Sequence, residues 1–226
     1  MHRDVHDEGM SCSRKRVARL MREEALSARR KRRRVITTKR DEKHPVAPNL
    51  LNRDFHAEEP DKKWAGDITY IPTKQGWLYV AVILDLYSRM VVGWSMSGSC
   101  DEKLVERALE QALVRRHPKA GLLHHSDRGS QYTSQAYQAY LQRYGIQSSM
   151  SRKGNCWDNA AMESFFGTLN DECIQEIFYV LHEEARSAIF TYTETYYNRI
   201  HRHSTLGYMS PFQYERMGEI RTLLNV

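Results

Sequence analysis

From Trp64 onward the chain alternates secondary-structure signals in an order that few folds accept. Residues 65–72 form a short β-rich run, and 77–84 and 90–96 form two more, joined around Asp85-Leu86-Tyr87-Ser88-Arg89. Their close spacing predicts an antiparallel meander. The period then changes from two to 3.6. Asp101 is placed to cap a helix whose Leu104, Val105, Ala108, Leu109, Ala112 and Leu113 make one apolar stripe, with Pro118 just past its end. A strand at 122–126 follows. Ser134 then caps a second helix carrying Ala136, Tyr137, Tyr140 and Leu141, which Gly145 closes, and 146–150 is a fifth strand. A loop at 151–157 leads into a helix from about Asp158. A further helix is expected near 183–197, and Pro211 opens a last short one. Three strands, then helix, strand, helix, strand and helix, is a mixed α/β order.

The chain of 226 residues suits one sizeable domain with an appendage. No run of about 18 apolar residues is present, which excludes a helical membrane span. The basic N-terminus lacks the apolar stretch of a secretory signal. Cys12, Cys100, Cys156 and Cys173 stand apart without a CxxC pair, which points to a reducing compartment and against a disulfide scaffold or zinc ribbon. The formal net charge of +6 hides a division: residues 1–50 carry 15 Lys+Arg against 7 Asp+Glu, and residues 51–226 carry 19 against 21. A basic arm is attached to a nearly neutral body. In the arm, Ser13 caps an amphipathic stretch with Val17, Leu20, Met21 and Ala25, and six consecutive cations follow: Arg29, Arg30, Lys31, Arg32, Arg33 and Arg34. Charge runs are often solvated tails. Joined to a basic helix, this one suits phosphate contacts, which give affinity without sequence information. The organisation expected is a basic segment with a short helix, suited to DNA phosphates, over 1–36, a proline-containing linker over 37–61 and a mixed α/β body over 62–220.

Three carboxylates carry the chemistry. Asp67 lies inside the first strand run, where an ionised side chain is costly to bury unless a cation compensates it. Asp127 ends the fourth strand, and the carboxyl ends of parallel strands are where α/β sheets place ligands. Glu163 follows Asp127 with 35 residues between them, on the helix after the fifth strand. Met162, Phe165, Phe166, Leu169 and Cys173 form the core stripe of that helix. Glu163 lies at its edge beside Asn159, Gly167 and Asn170, which is expected to point it along the sheet face rather than into bulk water. If the three converge they make an oxygen-ligand site for Mg2+ or Mn2+. Singly, each has an ordinary reading: a strand-edge charge, a turn former and a surface helix residue.

These residues sit in stretches that resemble the DDE transposases of bacterial insertion sequences, in the group made from two overlapping reading frames. The chain is similar to the second-frame product. The matching stretches are Trp64-Ala65-Gly66-Asp67-Ile68-Thr69-Tyr70, His125-Ser126-Asp127-Arg128-Gly129-Ser130-Gln131-Tyr132, Asn155-Cys156-Trp157-Asp158-Asn159-Ala160 and Glu163-Ser164-Phe165-Phe166-Gly167-Thr168-Leu169. Tyr196-Tyr197-Asn198 and the stretch from His203 to Pro211 extend the likeness nearly to the end. The resemblance implies an RNase H-like α/β fold shared with retroviral integrases, a mixed five-stranded sheet flanked by helices with a small basic helical N-terminal segment. It implies a triad of Asp67, Asp127 and Glu163 holding a pair of Mg2+ or Mn2+ ions, DNA 3′-end cleavage and strand transfer, and a bacterial cytoplasmic, nucleoid-associated location with no membrane. It also implies three partners: DNA as element ends and target, a homo-oligomer on that DNA, and an upstream-frame product carrying the end-recognition helix-turn-helix.

Two departures stand out. Relatives usually carry a basic residue two turns after the glutamate, and here it is Asn170, which can bond a phosphate but brings no charge. Relatives also have more chain before the stretch at Ser13, so this chain is expected to begin partway through a small DNA-binding subdomain. Two other functions therefore stand beside transposition: a catalytically inactive or truncated DNA-binding remnant or regulator, and an RNase H-like nuclease acting on RNA–DNA hybrids. Arg128, Arg152 and Lys153 are candidate DNA contacts near the triad. Asp158 reads as a helix cap, Asp85 as a turn residue and Trp157 as core, with base stacking its second reading. His124 and His125 are expected to alternate faces of a strand. Arg199, His201, Arg202 and His203 form a basic cluster without the Cys pair a zinc site would need.

Overall fold

A computed structural model of the chain describes residues 1–26, 46–175 and 177–224. The cations from Arg29 to Arg34, and residues 37–45 of the expected linker, lie outside the described residues. The chain divides into two compact units, Met1–Val35 and Ile36–Val226. In the first unit, α1 (His2–Asp7) precedes α2 (Arg14–Glu23). Ser13 caps α2 as its sequence position requires, with Oγ accepting the Arg16 N–H at 3.2 Å. Val17 is buried and Leu20 is exposed. Among the described residues no helix is long and apolar enough to cross a membrane.

The second unit is built on one sheet. β1 (Lys63–Thr73), β2 (Gly76–Asp85) and β3 (Val91–Ser97) form the antiparallel meander that their close spacing predicts. β4 (Leu123–Ser126) and β5 (Gln147–Met150) continue the sheet parallel to β1, giving the order β3-β2-β1-β4-β5. The helices are α3 (Glu102–Arg116), α4 (Ser130–Thr133), α5 (Gln135–Arg143), α6 (Ala160–Leu169), α7 (His182–Thr191) and α8 (Pro211–Leu224). The helix expected over 183–197 is α7 continued by a wider π-type turn, Tyr192–Tyr197, and α6 likewise runs into one at Asn170–Ile174.

The sheet is covered on both faces. Alternation along β2 sends Leu78, Val80, Val82 and Leu84 to a core completed by Met162, Phe165, Phe166, Leu169 and Ile189. Ala81 and Ile83 join Val92, Leu104, Val105, Leu109 and Leu141 on the opposite face. A strand buried on both sides needs an unbroken apolar run, which is what Val80-Ala81-Val82-Ile83-Leu84 supplies. The stripe proposed for α6 faces the sheet, with Met162, Phe165, Phe166, Leu169 and Cys173 all buried.

α3 lies very close to β3. A Cβ placed on Gly93 would collide with the Ala108 carbonyl oxygen and stand 2.7 Å from Ala112 Cβ. Neither neighbour is a flexible side-chain tip, so the helix itself would have to move. Gly93→Ala is expected to destabilise the protein by roughly 1–3 kcal/mol or more, read as a lower denaturant midpoint in equilibrium unfolding.

The described residues from 46 to 61 are packed on the body. Leu51 and Ala57 are buried, and the Leu50 and Leu51 N–H groups donate to Ser149 Oγ at 2.9 and 3.1 Å. Asp85 does bond its own turn, accepting the Tyr87 N–H at 2.7 Å, but it is also wholly buried. Its carboxylate accepts the Asp61 N–H at 2.7 Å and lies 3.7 Å from Arg116 at the end of α3. The same guanidinium reaches Asp61 at 2.9 Å and Glu215 of α8 at 2.8 Å. Four separate segments meet at that one cation.

Candidate active site

The register of the sheet places the two aspartates. The parallel β1–β4 pairing ends with Ala65 opposite His125. Asp67 and Asp127 each follow two residues later, Asp67 still within β1 opposite Val82 and Asp127 just past the end of β4, on neighbouring strands about 4.8 Å apart between axes. Each is oriented by a backbone donor. Asp67 Oδ1 accepts its neighbour Ile68 N–H at 2.8 Å, and Asp127 Oδ1 accepts Gly129 N–H at 2.9 Å. The Tyr132 phenol behind them is raised well above its ordinary pKa, first by burial and then by Tyr137, Asp67 and Asp127.

The third element is tied to the first by Asn159, which sequence reasoning left as a bystander. Asn159 stands at the N-terminus of α6, is buried, and donates through Nδ2 to Asp67 Oδ2 at 2.9 Å. Its Oδ1 is buried without a hydrogen-bond partner. Glu163 comes four residues later, on the same face of the helix. It is exposed rather than laid along the sheet face as its helix position suggested. An ionised carboxylate gains nothing by leaving water for the company of two others unless a cation lies between them. Accordingly, among the described residues no three His, Cys, Asp or Glu side chains stand together as a ready-made metal set.

The groups within reach are oxygen donors. His125 has both ring nitrogens engaged, Nδ1 by Ser149 Oγ at 2.8 Å and Nε2 by Ser151 Oγ at 3.1 Å. Burial holds it neutral, with its pKa pushed down to about 4. His124, also buried and pushed down to about 3, meets the Tyr137 hydroxyl at 2.9 Å. Cys100, whose thiol is raised first by burial and then by Asp101 and Asp127, stays protonated and is contacted by Gln131 at 3.2 Å. A protonated thiol and an occupied imidazole are poor ligands. The remaining carboxylates suit a hard cation such as Mg2+ or Mn2+.

The loop before α6 corrects several expectations. Asp158 is not a surface cap; it has no exposed surface and sits in a 3-10 turn, Cys156–Asn159. It accepts from Arg152 N–H and Nε at 2.9 Å each, Arg152 Nη2 at 2.8 Å, Arg53 Nε at 2.9 Å and Asn49 Nδ2 at 2.8 Å. The Arg152 guanidinium bond is the foremost cause holding its carboxyl well below the usual range. Arg152, a candidate DNA contact, thus has its charge committed to Asp158. Arg128 donates through Nε to the Ser151 carbonyl at 2.6 Å, and Lys153 is exposed. Asn170 is half-buried and bonds Asp171 Oδ1 at 3.3 Å. His201 and His203 face each other at 3.2 Å with Glu172 3.4 Å from His201. Trp157, read as core, is 69% exposed.

A mixed five-stranded sheet of order β3-β2-β1-β4-β5, with helices packed on both faces, defines the class: an RNase H-like integrase core. Known proteins agree. Two family models, both described as integrase core domain, match residues 57–156 and 144–211. The first span takes in Asp67 and Asp127, and the second takes in Glu163. The HTLV-2 integrase catalytic core domain, solved in complex with magnesium, is similar with a TM-score of 0.53 at 20% identity, covering 70% of this chain and 99% of that one. A chain of the simian T-cell lymphotropic virus intasome gives a TM-score of 0.56 at 17% identity, covering 79% and 61%. The transposase for insertion sequence element IS904 of Lactococcus lactis subsp. lactis (strain IL1403) is 47% identical over 212 residues, 94% of this chain and 84% of its own length. Transposase InsF for insertion sequence IS3A of Escherichia coli (strain K12) is 45% identical, over 94% and 74%. The chain belongs to the insertion-sequence transposases, enzymes of the DDE polynucleotidyl transferase type. An HTH-like domain also matches residues 1–34, so a module of that kind is carried in the segment expected to be basic and partly helical.

Proposed function

We propose that Asp67, Asp127 and Glu163 hold a pair of divalent cations, Mg2+ or Mn2+, with which the transposase frees a 3′ end of its element and joins it to target DNA. The observation that carries this reading is the bond from Asn159 to Asp67, which ties the helix bearing Glu163 to β1, the strand next to the one that Asp127 follows. When bound, such cations lower the pKa of an attacking oxygen and stabilise the leaving one. The chain's own part is orientation. Ile68 N–H and Asn159 Nδ2 fix the two oxygens of Asp67, and Gly129 N–H fixes Asp127. Glu163, four residues after Asn159 on α6, would complete the set. In the first step a water oxygen bonds to phosphorus and gives up a proton, the P–O3′ bond breaks, and the departing 3′-oxygen takes up a proton to become a hydroxyl. In the second the freed 3′-hydroxyl loses its proton as its oxygen bonds to a target phosphorus, and the target's own 3′-oxygen departs and takes up a proton. No serine or tyrosine is needed as a nucleophile.

The cations from Arg29 to Arg34 would hold DNA phosphates, as would Arg128, Lys153 and Asn170 of the body. A homo-oligomer on DNA would pair two element ends, with the upstream-frame product assisting end recognition in the bacterial cytoplasm. The test uses the full chain and a duplex carrying one end of the inverted repeats that flank its gene. Nicked and joined products are expected with Mg2+ or Mn2+ and none with EDTA. Tight end binding without products in either metal would leave the inactive, regulatory reading in possession. Preferential cutting of an RNA–DNA hybrid would favour the nuclease.

A further inference from the structure

Trp157 is the most exposed of the chain's four tryptophans, at 69%, and both of its C-terminal neighbours are fixed. Asp158 is buried and clamped by Arg152, Arg53 and Asn49. Asn159 is bonded to Asp67. The backbone at Trp157 is therefore held in place while its indole stands in water. Two residues of chain span at most about 7 Å, so Trp157 stands close to Asn159 and through it to Asp67. Arg152 pairs its charge with Asp158, and Trp157 adds an exposed aromatic plane beside that pair. A large apolar plane held rigidly in solvent beside a DNA-cutting centre matches one chemistry well, the face of a nucleobase. Bases inside a duplex show only their edges, so the base must be unpaired.

We propose that Trp157 is a stacking platform for an unpaired DNA base next to the scissile phosphodiester. The proposal rests on the assignment of cutting to Asp67 and Asp127. Stacking on this platform lets the chain prefer an opened DNA end over intact duplex, because only the opened end can present a base face.

The test compares the full chain with Trp157→Ala and Trp157→Phe in EDTA, by fluorescence anisotropy on three DNAs: the element end with its last pairs mismatched, the same end fully paired, and an internal duplex. Trp157→Ala is expected to weaken binding to the mismatched end roughly 5- to 150-fold. Trp157→Phe should keep most of the affinity, and the internal duplex should bind all three proteins alike. 2-Aminopurine placed beside the cut should be quenched by the wild type and not by Trp157→Ala. Equal losses on all three DNAs, no loss on any, or a changed oligomeric state of Trp157→Ala without DNA would overturn the proposal; the last would assign the ring to a contact between copies. Asp127→Asn separates the parent reading. If that variant still cuts, the carboxylate assignment fails whatever the stacking result.

Discussion

Asp127→Asn will lower strand transfer by about a thousandfold or more while leaving folding and DNA-end binding in place. The asparagine Oδ1 can still accept the Gly129 N–H that now holds Asp127 at 2.9 Å, and it fills the same volume. What it removes is charge. A divalent cation contributes several kcal/mol of transition-state stabilisation, and each ~1.4 kcal/mol is a factor of ten in rate. End binding should be unchanged or slightly tighter, because one negative charge has been taken from the path of a polyanion. Asp67→Asn is a less clean probe. One of its oxygens accepts from Asn159 Nδ2 and the other from Ile68 N–H, so an amide there sets two donors against each other. The measurements are product formation under Mg2+, end affinity by gel shift and the melting temperature. Wild-type strand transfer by Asp127→Asn would sink the triad assignment.

Arg116→Met should cost about 3–5 kcal/mol of stability, the penalty for removing one partner of a buried ion cluster. For a domain of this size that is a fall in melting temperature of roughly 6–20 °C. The guanidinium serves Asp61 at 2.9 Å, Glu215 at 2.8 Å and Asp85 at 3.7 Å. Asp61 and Glu215 keep some access to water, but Asp85 has none. Burial already pushes the Asp85 carboxyl up to about 7. A carboxyl raised in the folded state contributes stability at low pH that is lost as pH rises through its folded value. The gap between wild type and Arg116→Met should therefore be widest near pH 8 and narrow toward pH 5, where Asp85 takes up a proton. A variant within about 1 kcal/mol of wild type at pH 8 would show that the cluster contributes little.

Much of the fold was legible because burial on a regular element has a period. The α6 stripe, the capping serine of α2 and the three-stranded meander were all read correctly from spacing alone. Residues whose role depends on a distant partner were not. Asp158 looked like a cap because its sequence neighbourhood is a helix start, yet Arg53 and Asn49 lie 105 and 109 positions away. Asn159 looked neutral, and its partner Asp67 is 92 positions away. Trp157 was assigned to the core on the general habit of aromatic residues. Its exposure follows from Asp158 and Asn159, which turn inward and leave it on the outer side.

The sequence by itself determined the order of strands and helices, the faces they bury and the identity of the acidic residues, since local periodicity and residue chemistry carry that information. Its ordered motifs pointed to the transposase family before any contact was known. Only the tertiary structure decided that Asp67 and Asp127 come from neighbouring strands, because that depends on the pairing of β1 with β4. Only it decided that Asn159 joins the helix to the strand, that Arg152 is bound to Asp158, and that Glu163 remains in water. Each of these turns on the pairing of charges and donors far apart in the chain, and no local pattern encodes which partner a polar side chain will meet.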